Sequence, residues 1–166
     1  EKGVKTMIES LPLLPERIVM LFAGGSESEI REYKSLARIL SVHDRCFFFG
    51  KYRHAELISY MQTADLLSIP YPDLPHFRDY GFPMKVYEYM ASRRPILYSK
   101  LDLVEEVIDD SAFGFTPGSS PDLARAVQEA SSNSEKSGAY ADTAYTKVQD
   151  YIWTKKAARI LDFLGA

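Results

Sequence analysis

Short apolar runs alternate along this chain with longer stretches whose apolar residues recur at helical spacing. Val4, Met7, Ile8 and Leu11 mark a first helix, ended by Pro12 and Pro15. Ile18 to Ala23 (IVMLFA) is continuously apolar, as in a strand buried on both faces. Gly24-Gly25-Ser26 turns it into a helix from about Glu27 to Leu40, with Ile30, Tyr33, Leu36, Ala37 and Leu40 inward. Cys46 to Phe49 reads as the next strand, closed by Gly50, and His54 to Ala64 as a helix with Leu57, Ile58 and Met61 inward. Asp65 to Ile69 is a further buried strand, and Pro70 to Tyr80 is a loop rich in proline and aromatic residues. A helix from Pro83 to about Ser92 leads to a strand from Ile96 to Ser99. Leu103 to Ile108 reads as a short helix and Phe113 to Thr116 as the last strand. Pro121 to Ala130 is helical, Ser131 to Gly138 a polar linker, and helices over about Ala139 to Tyr151 and Thr154 to Leu164 close the chain.

Short, non-alternating strands separated by helices predict a parallel sheet covered on both faces, a doubly wound α/β fold. At 166 residues the chain makes one domain or a piece of a larger protein, and 46% hydrophobic residues suffice for a full core. It opens within a helix (EKGVKTMIESL), which reads as an excised piece. A net charge of -3 argues against a general nucleic-acid binder. No apolar run is long enough to span a bilayer, and no signal peptide is evident. The single cysteine, Cys46, lies in an apolar run, so no disulfide framework is implied and a reducing cytosol is permitted. His43, His54 and His76 are scattered, with no partners at metal-ligand spacing.

The chemistry concentrates between Asp79 and Ser99. Pro83 fits the first helical position, where its missing N–H costs nothing, and unpaired first-turn amides make a ready anion site. Lys85, Glu88 and Ser92 fall on one face, while Val86, Tyr87, Met90 and Ala91 occupy packed faces. Such a stripe is either ligand-facing or a solvated surface with a Lys85–Glu88 pair, and the stretch alone leaves both open.

The segment GFPMKVYEYMASRRPIL resembles the donor-site segment of retaining GT-B glycosyltransferases of the group 1 / family 4 type, with the pattern P-x-K-x-x-E-Y-M-A and a following P-[IV]-[VL]. The likeness covers the whole chain. EKGVKTMIESL resembles the helix opening the family's nucleotide domain, and IVMLFAGGS and CFFFG its next strands. AELISYMQTADLLSIPY, SKLDLVEEVID, FGFTPGSSPDLARAV and YIWTKKAARILDFL are similar to its later segments, in order.

This resemblance implies a C-terminal, donor-binding Rossmann-like domain whose substrate is a nucleotide diphosphate sugar, with retention and without a metal. The acceptor-binding N-terminal domain and the family's first strand, with its arginine, are absent. Loss of that central strand is expected to leave a gap with unpaired backbone groups, filled by direct pairing of its neighbours or by a partner chain. Lys2 and Lys85 correspond to the lysines that lie by the diphosphate, and Glu88 to the carboxylate that binds the ribose hydroxyls. Backbone at Gly24 and Gly25, the strand end at Gly50, Lys51 and Tyr52, and the turn Gly81, Phe82, Pro83 and Met84 complete the implied donor site; for the two turn glycines a plain strand-to-helix turn is the alternative.

The sequence departs from the family at two places. Tyr80 stands where many members carry a first glutamate that contacts the sugar, and neighbouring Asp79 is the candidate substitute. Arg93 replaces a glycine suited to a left-handed helix end. Glu106 matches a family glutamate and reads as structural. Trp153 and the last helix are expected to pack, since this terminus returns to the absent domain in the family. Lys147, Lys155, Lys156 and Arg159 add a positive end, which reads as a solvated face or as contact with the inner face of the membrane. The expected protein is a cytoplasmic glycosyltransferase; the competing readings are a non-catalytic nucleotide or partner-binding module and a nucleotide-sugar epimerase-like domain.

Overall fold

The computed structural model describes residues 2–51, 53–80, 84–108 and 110–165. Its elements are α1 (Val4–Ser10), β1 (Met20–Ala23), α2 (Glu27–Ile39), β2 (Cys46–Phe49), α3 (His54–Thr63), β3 (Leu67–Ile69), α4 (Met84–Ala91), β4 (Ile96–Ser99), α5 (Asp102–Ile108), β5 (Phe113–Phe115), α6 (Ser120–Ser132), α7 (Ser134–Val148) and α8 (Trp153–Leu164). All strand pairs are parallel. Met20 lies opposite Cys46, Leu67 opposite Ile96, and Leu97 opposite Phe113.

β4 is buried along its whole length and shows how the layers form. Leu97 points into a core shared by α1, α2 and α6, with Ile8, Leu11, Phe115 and Leu123. Ile96 and Tyr98 point the other way, into a core with Val86, Met90, Val104 and Ala144 from α4, α5 and α7. Strand residues alternate between faces, so one apolar strand feeds two cores. Each fully buried large side chain contributes roughly 1.5–3 kcal/mol, which is why these strands need no polar alternation.

The sheet is in two parts, β1–β2 and β3–β4–β5, with no pairing of β1 to β3. Direct pairing of the strands expected to flank the gap is not seen among the described residues. Leu21 and Phe47, side by side in the β1–β2 register, remain 56% and 46% exposed, on the opposite face from the buried Met20 and Cys46.

Several boundaries differ from the sequence reading. β1 starts at Met20 rather than Ile18. The Ile18 N–H donates to Pro15 O at 3.0 Å, and the Ile18 carbonyl accepts from Arg45 Nε at 2.9 Å, so neither group joins the ladder. Arg45 also donates to Leu11 O and Pro15 O, tying the turn after α1 to the start of β2. The loop after β3 contains a π-helical turn over His76–Tyr80, anchored by Tyr71 stacked on Phe77 at 4.6 Å.

The linker read over Ser131 to Gly138 does not exist. Only Asn133 separates α6 from α7, and its side chain caps α7 by accepting from Lys136 N at 2.9 Å. Ser137 Oγ donates to Ala130 O, and Lys136 Nζ bonds Glu129 at 2.6 Å, so polar residues that read as loop fold the two helices together. Ala91 is exposed rather than packed. The packing expected of Trp153 and the last helix is also absent. Trp153 is 77% exposed and every residue of α8 is exposed, because no other element among the described residues buries its apolar face.

Arg93 adopts the left-handed backbone expected at its position, with φ 55°. Its guanidinium bonds Asp142 at 2.7 Å and lies 4.7 Å from the centre of the Tyr145 ring, so the strained residue also anchors α7. Arg93→Gly relieves the backbone while losing the anchor, and should leave the urea midpoint nearly unchanged; Arg93→Ala keeps the strain, loses the anchor and should lower that midpoint.

Asp122, in the first turn of α6, accepts from Thr116 N at 2.7 Å, Thr116 Oγ1 at 2.8 Å and Arg125 Nε at 2.6 Å. The Thr116 backbone bond foremost, with the Arg125 and Thr116 side chains, holds its carboxyl down at about 2, against an ordinary 3.8. A carboxylate lowered in the folded state stabilises above its ordinary value and loses that contribution as pH falls toward the folded one. After allowance for solvent screening this is worth about 1 kcal/mol at neutral pH. Asp122→Ala should therefore lower Tm at pH 7 and flatten the fall of Tm between pH 4 and pH 2 in a calorimetric series.

Candidate functional site

In a parallel sheet all helices start at the carboxyl edge of the strands, and ligands bind where the strand order reverses. Here the order runs one way from β1 to β2 and the other way from β3 to β5, so the reversal lies between β1 and β3. Lys2, Gly24, Gly25, Gly50, Lys51, Tyr80, Met84, Lys85 and Glu88 all belong to connections or helix starts on that edge. Tyr52, Gly81, Phe82 and Pro83 lie outside the described residues.

Gly3 fixes one side of the site. Its φ is +79°, and a Cβ there would fall 1.6 Å from the carbonyl oxygen of Pro70, just beyond β3. The head of α1 therefore presses directly on the end of β3, and Lys2 is held beside it. Lys2 also acts on Glu29 in the first turn of α2, so the heads of α1 and α2 converge.

The α2 head is self-contained. Ser26 Oγ accepts from Glu29 N, and the Glu29 carboxylate accepts from Ser26 N and Ser26 Oγ, each at 2.7 Å. The backbone bond to Ser26 leads in holding the Glu29 carboxyl below its usual range, with smaller help from Lys2. The negative charge at that helix start makes it a poor phosphate seat. Before it, Gly24 (φ +100°) donates to the carbonyls of Phe49 at 3.1 Å and Gly50 at 3.0 Å, locking the ends of β1 and β2 together. A Cβ on Gly24 would meet nothing within 4 Å, so backbone conformation demands the glycine and the space above it is open.

Across the reversal point, α4 carries Lys85 and Glu88 one turn apart, both half-buried. The surface pair that a solvated stripe would form is not seen: among the described residues neither side chain has an ion pair. Ser92, third on that face, turns its hydroxyl back to Tyr89 O. Burial, with the charge of Glu88 added, pushes up the hydroxyl of Tyr71, next to Pro70. Burial, then Tyr71 and Glu88, push Tyr89 up to about 12. Glu88 thus lies within electrostatic reach of Tyr71, the residue that follows Pro70.

Other sequence candidates sit apart. Tyr80 is 80% exposed at the end of the π-helical turn. Asp79 is paired with Arg78 at 3.0 Å, and Arg78 also reaches Asp73. Glu106 is exposed and acts on Tyr87, whereas Glu105 bonds the Tyr98 hydroxyl at 3.1 Å. Two features escaped the sequence reading. The Ser26–Glu29 capping box had a legible S-x-x-E spacing; the Gly3–Pro70 contact joins residues far apart in sequence and left no local mark.

The sequence profile described as "Glycosyl transferases group 1" matches residues 1–147. The chain belongs to this glycosyltransferase family. Among solved structures, sucrose-phosphate synthase from Thermosynechococcus elongatus superposes with a TM-score of 0.84 at 21% identity, covering 98% of this chain and 41% of that one. HepE of Anabaena, solved with UDP-glucose, gives 0.84 at 20% identity, covering 99% of this chain and 45% of that one. The catalytic domain of a cholesterol-α-glucosyltransferase from Helicobacter pylori gives 0.76 at 18% identity, with 92% of both chains covered. At these identities the likeness establishes the GT-B, Rossmann-like fold. The chain spans less than half the length of the first two structures. No curated protein matches it. No helix among the described residues is long and apolar enough to cross a membrane.

Gly3→Ala places a methyl group inside the van der Waals radius of the Pro70 carbonyl, at a φ that favours glycine. It should destabilise this glycosyltransferase domain by about 3 kcal/mol in urea denaturation, the sum of overpacking and left-handed strain.

Proposed function

We propose that this chain is the donor-binding part of a glycosyltransferase that moves a sugar from a nucleotide diphosphate sugar to an acceptor, with retention at the anomeric carbon. The observation that carries the proposal is the placement of Lys85 and Glu88 one helical turn apart beside the strand-order reversal, with neither in an ion pair among the described residues. Three residues of helix rise about 4.5 Å, a separation suited to one ribose and the phosphate that follows it. Glu88 accepts from the two ribose hydroxyls. Lys85 and Lys2 stabilise charge on the leaving diphosphate as the glycosidic bond breaks, so no metal is required. The open backbone at Gly24 and Gly25 admits the diphosphate, and Gly50, Lys51 and Tyr52 border the base. Tyr80 stands at the position that contacts the sugar in the family, and Gly81, Phe82, Pro83 and Met84 are assigned with Lys85 to the diphosphate.

The acceptor is held by the remainder of the protein, an N-terminal domain toward which the exposed apolar face of α8 turns. Lys155, Lys156 and Arg159 on that helix support a cytoplasmic location with contact at the inner face of the membrane. A second reading, nucleotide binding without transfer, draws support from one observation: Tyr80 replaces the sugar-contacting glutamate while Asp79 is already engaged by Arg78.

Thermal shift against UDP, GDP, ADP and their sugar conjugates, with and without Mg²⁺, should give stabilisation by one nucleotide that is indifferent to the metal. In the intact protein Glu88→Ala should weaken nucleotide binding by about 10–100-fold. Lys85→Ala should lower kcat by about 100-fold with a smaller change in nucleotide Kd. Binding without turnover in the intact protein selects the second reading, and full activity in both variants overturns the site.

A further inference from the structure

β2 is an edge strand, paired with β1 on one side and with no strand on the other among the described residues. Phe49 O accepts from Gly24 N–H on the β1 side, so the alternation of a parallel ladder turns the backbone of Phe47 and Phe49 toward β1 and that of Cys46 and Phe48 outward. The side chains of Cys46 and Phe48 face α2, where Lys34, Ala37, Arg38 and His43 complete with them a hollow of about 180 Å³. Phe47 points to the opposite face of the strand and stays exposed.

Charge selects what this edge can accept. Lys34, Arg38 and His43 are exposed and have no ion pair among the described residues, whereas Arg31, one turn before Lys34, pairs with Glu27 at 3.8 Å. The chain as a whole carries a net charge of -3, so a basic rim is not the general character of its surface. Asp44, in the same turn as His43, sets one carboxylate against three basic side chains. A cation late in a helix complements the helix dipole, which accounts for Arg38 in the last turn of α2, but His43 lies beyond that helix. Basic residues along an edge also oppose pairing with a second copy of the same edge, since like charges would meet.

We propose that the outer edge of β2 seats an extended acidic segment of a partner protein, added as a strand in which acidic and apolar residues alternate. Its backbone pairs with the outward N–H and C=O groups of Cys46 and Phe48, which supply affinity without regard to sequence. Successive side chains of a strand point to opposite faces. One set therefore carries carboxylates to Lys34, Arg38 and His43 on the α2 side, and the other set lies against exposed Phe47. The pattern of alternation, not net charge alone, is what this edge recognises. The hollow opens beside Cys46, the first residue of β2, whereas the donor-site candidates gather at the carboxyl edge of the strands, so the inference does not rest on the donor-site reading.

Fluorescence anisotropy of the intact protein with three labelled peptides tests it: glutamate and valine alternating, the same residues in two blocks, and lysine and valine alternating. The alternating acidic peptide should bind more tightly than either of the others. Lys34→Glu with Arg38→Glu, both at exposed positions and so compatible with the fold, should weaken that binding by about 10-fold or more, while Lys34→Arg should keep it. At saturating peptide the Cys46 and Phe48 amides should exchange about 10-fold more slowly by NMR, with Phe47 and Phe49, which face β1, little changed. Absence of binding, equal binding of the block or lysine peptide, or binding that leaves Cys46 and Phe48 exchange unaltered would each overturn the proposal.

Discussion

The contact between Gly3 and the Pro70 carbonyl is the constraint on which the site depends. It lets α1 descend directly from the carboxyl end of β3, because no side chain stands between the two backbones. From there α1 reaches the core with Ile8 and Leu11, and its far end is fastened through the Arg45 guanidinium to the start of β2. One helix thus bridges both parts of the sheet. Were α1 displaced by the width of a methyl group, Lys2 at its head would be displaced with it.

This bridging explains how a sheet in two parts keeps one core. A doubly wound fold is held by its layers as well as by its ladder, and here α1, α2 and α6 span the break on one face. The opposite face shows the cost. Leu21 and Phe47 stay half in solvent, while their counterparts on β4 are enclosed by α4 and α5. Apolar strands of this kind expect cover on both faces. The same imbalance appears at α8, whose residues are all exposed.

The sequence made the element order and the two-sided core legible because buried strands leave continuous apolar runs and covered helices leave a stripe. It misled where a local signal met a distant partner. Ser131 to Gly138 has the composition of a linker, yet Ser137 and Lys136 find partners on α6 and fold into α7. Ile18 has the character of a strand residue, but Arg45, far along the chain, claims its carbonyl. Trp153 has the character of a core residue and is exposed, because burial depends on what lies opposite and not on the side chain alone. Of the site, the polar stripe on α4 could be read directly, since i and i+3 geometry is local. The approach of Gly3 to Pro70 could not, because the two lie far apart in the chain.

Charge at the reversal point then narrows the division of labour. Two helix heads border it, and an unpaired head attracts anions. The head of α2 has spent that capacity on Glu29, whose carboxylate takes the Ser26 N–H and carries negative charge to the place a phosphate would occupy. Lys2 adds a small part of the field on that carboxylate. Lys85, half-buried and without an ion pair among the described residues, lies one helical turn from the Glu88 carboxylate. The α2 side therefore offers room at Gly24 more than attraction for an anion, while Lys85 on the α4 side is without an ion pair among the described residues.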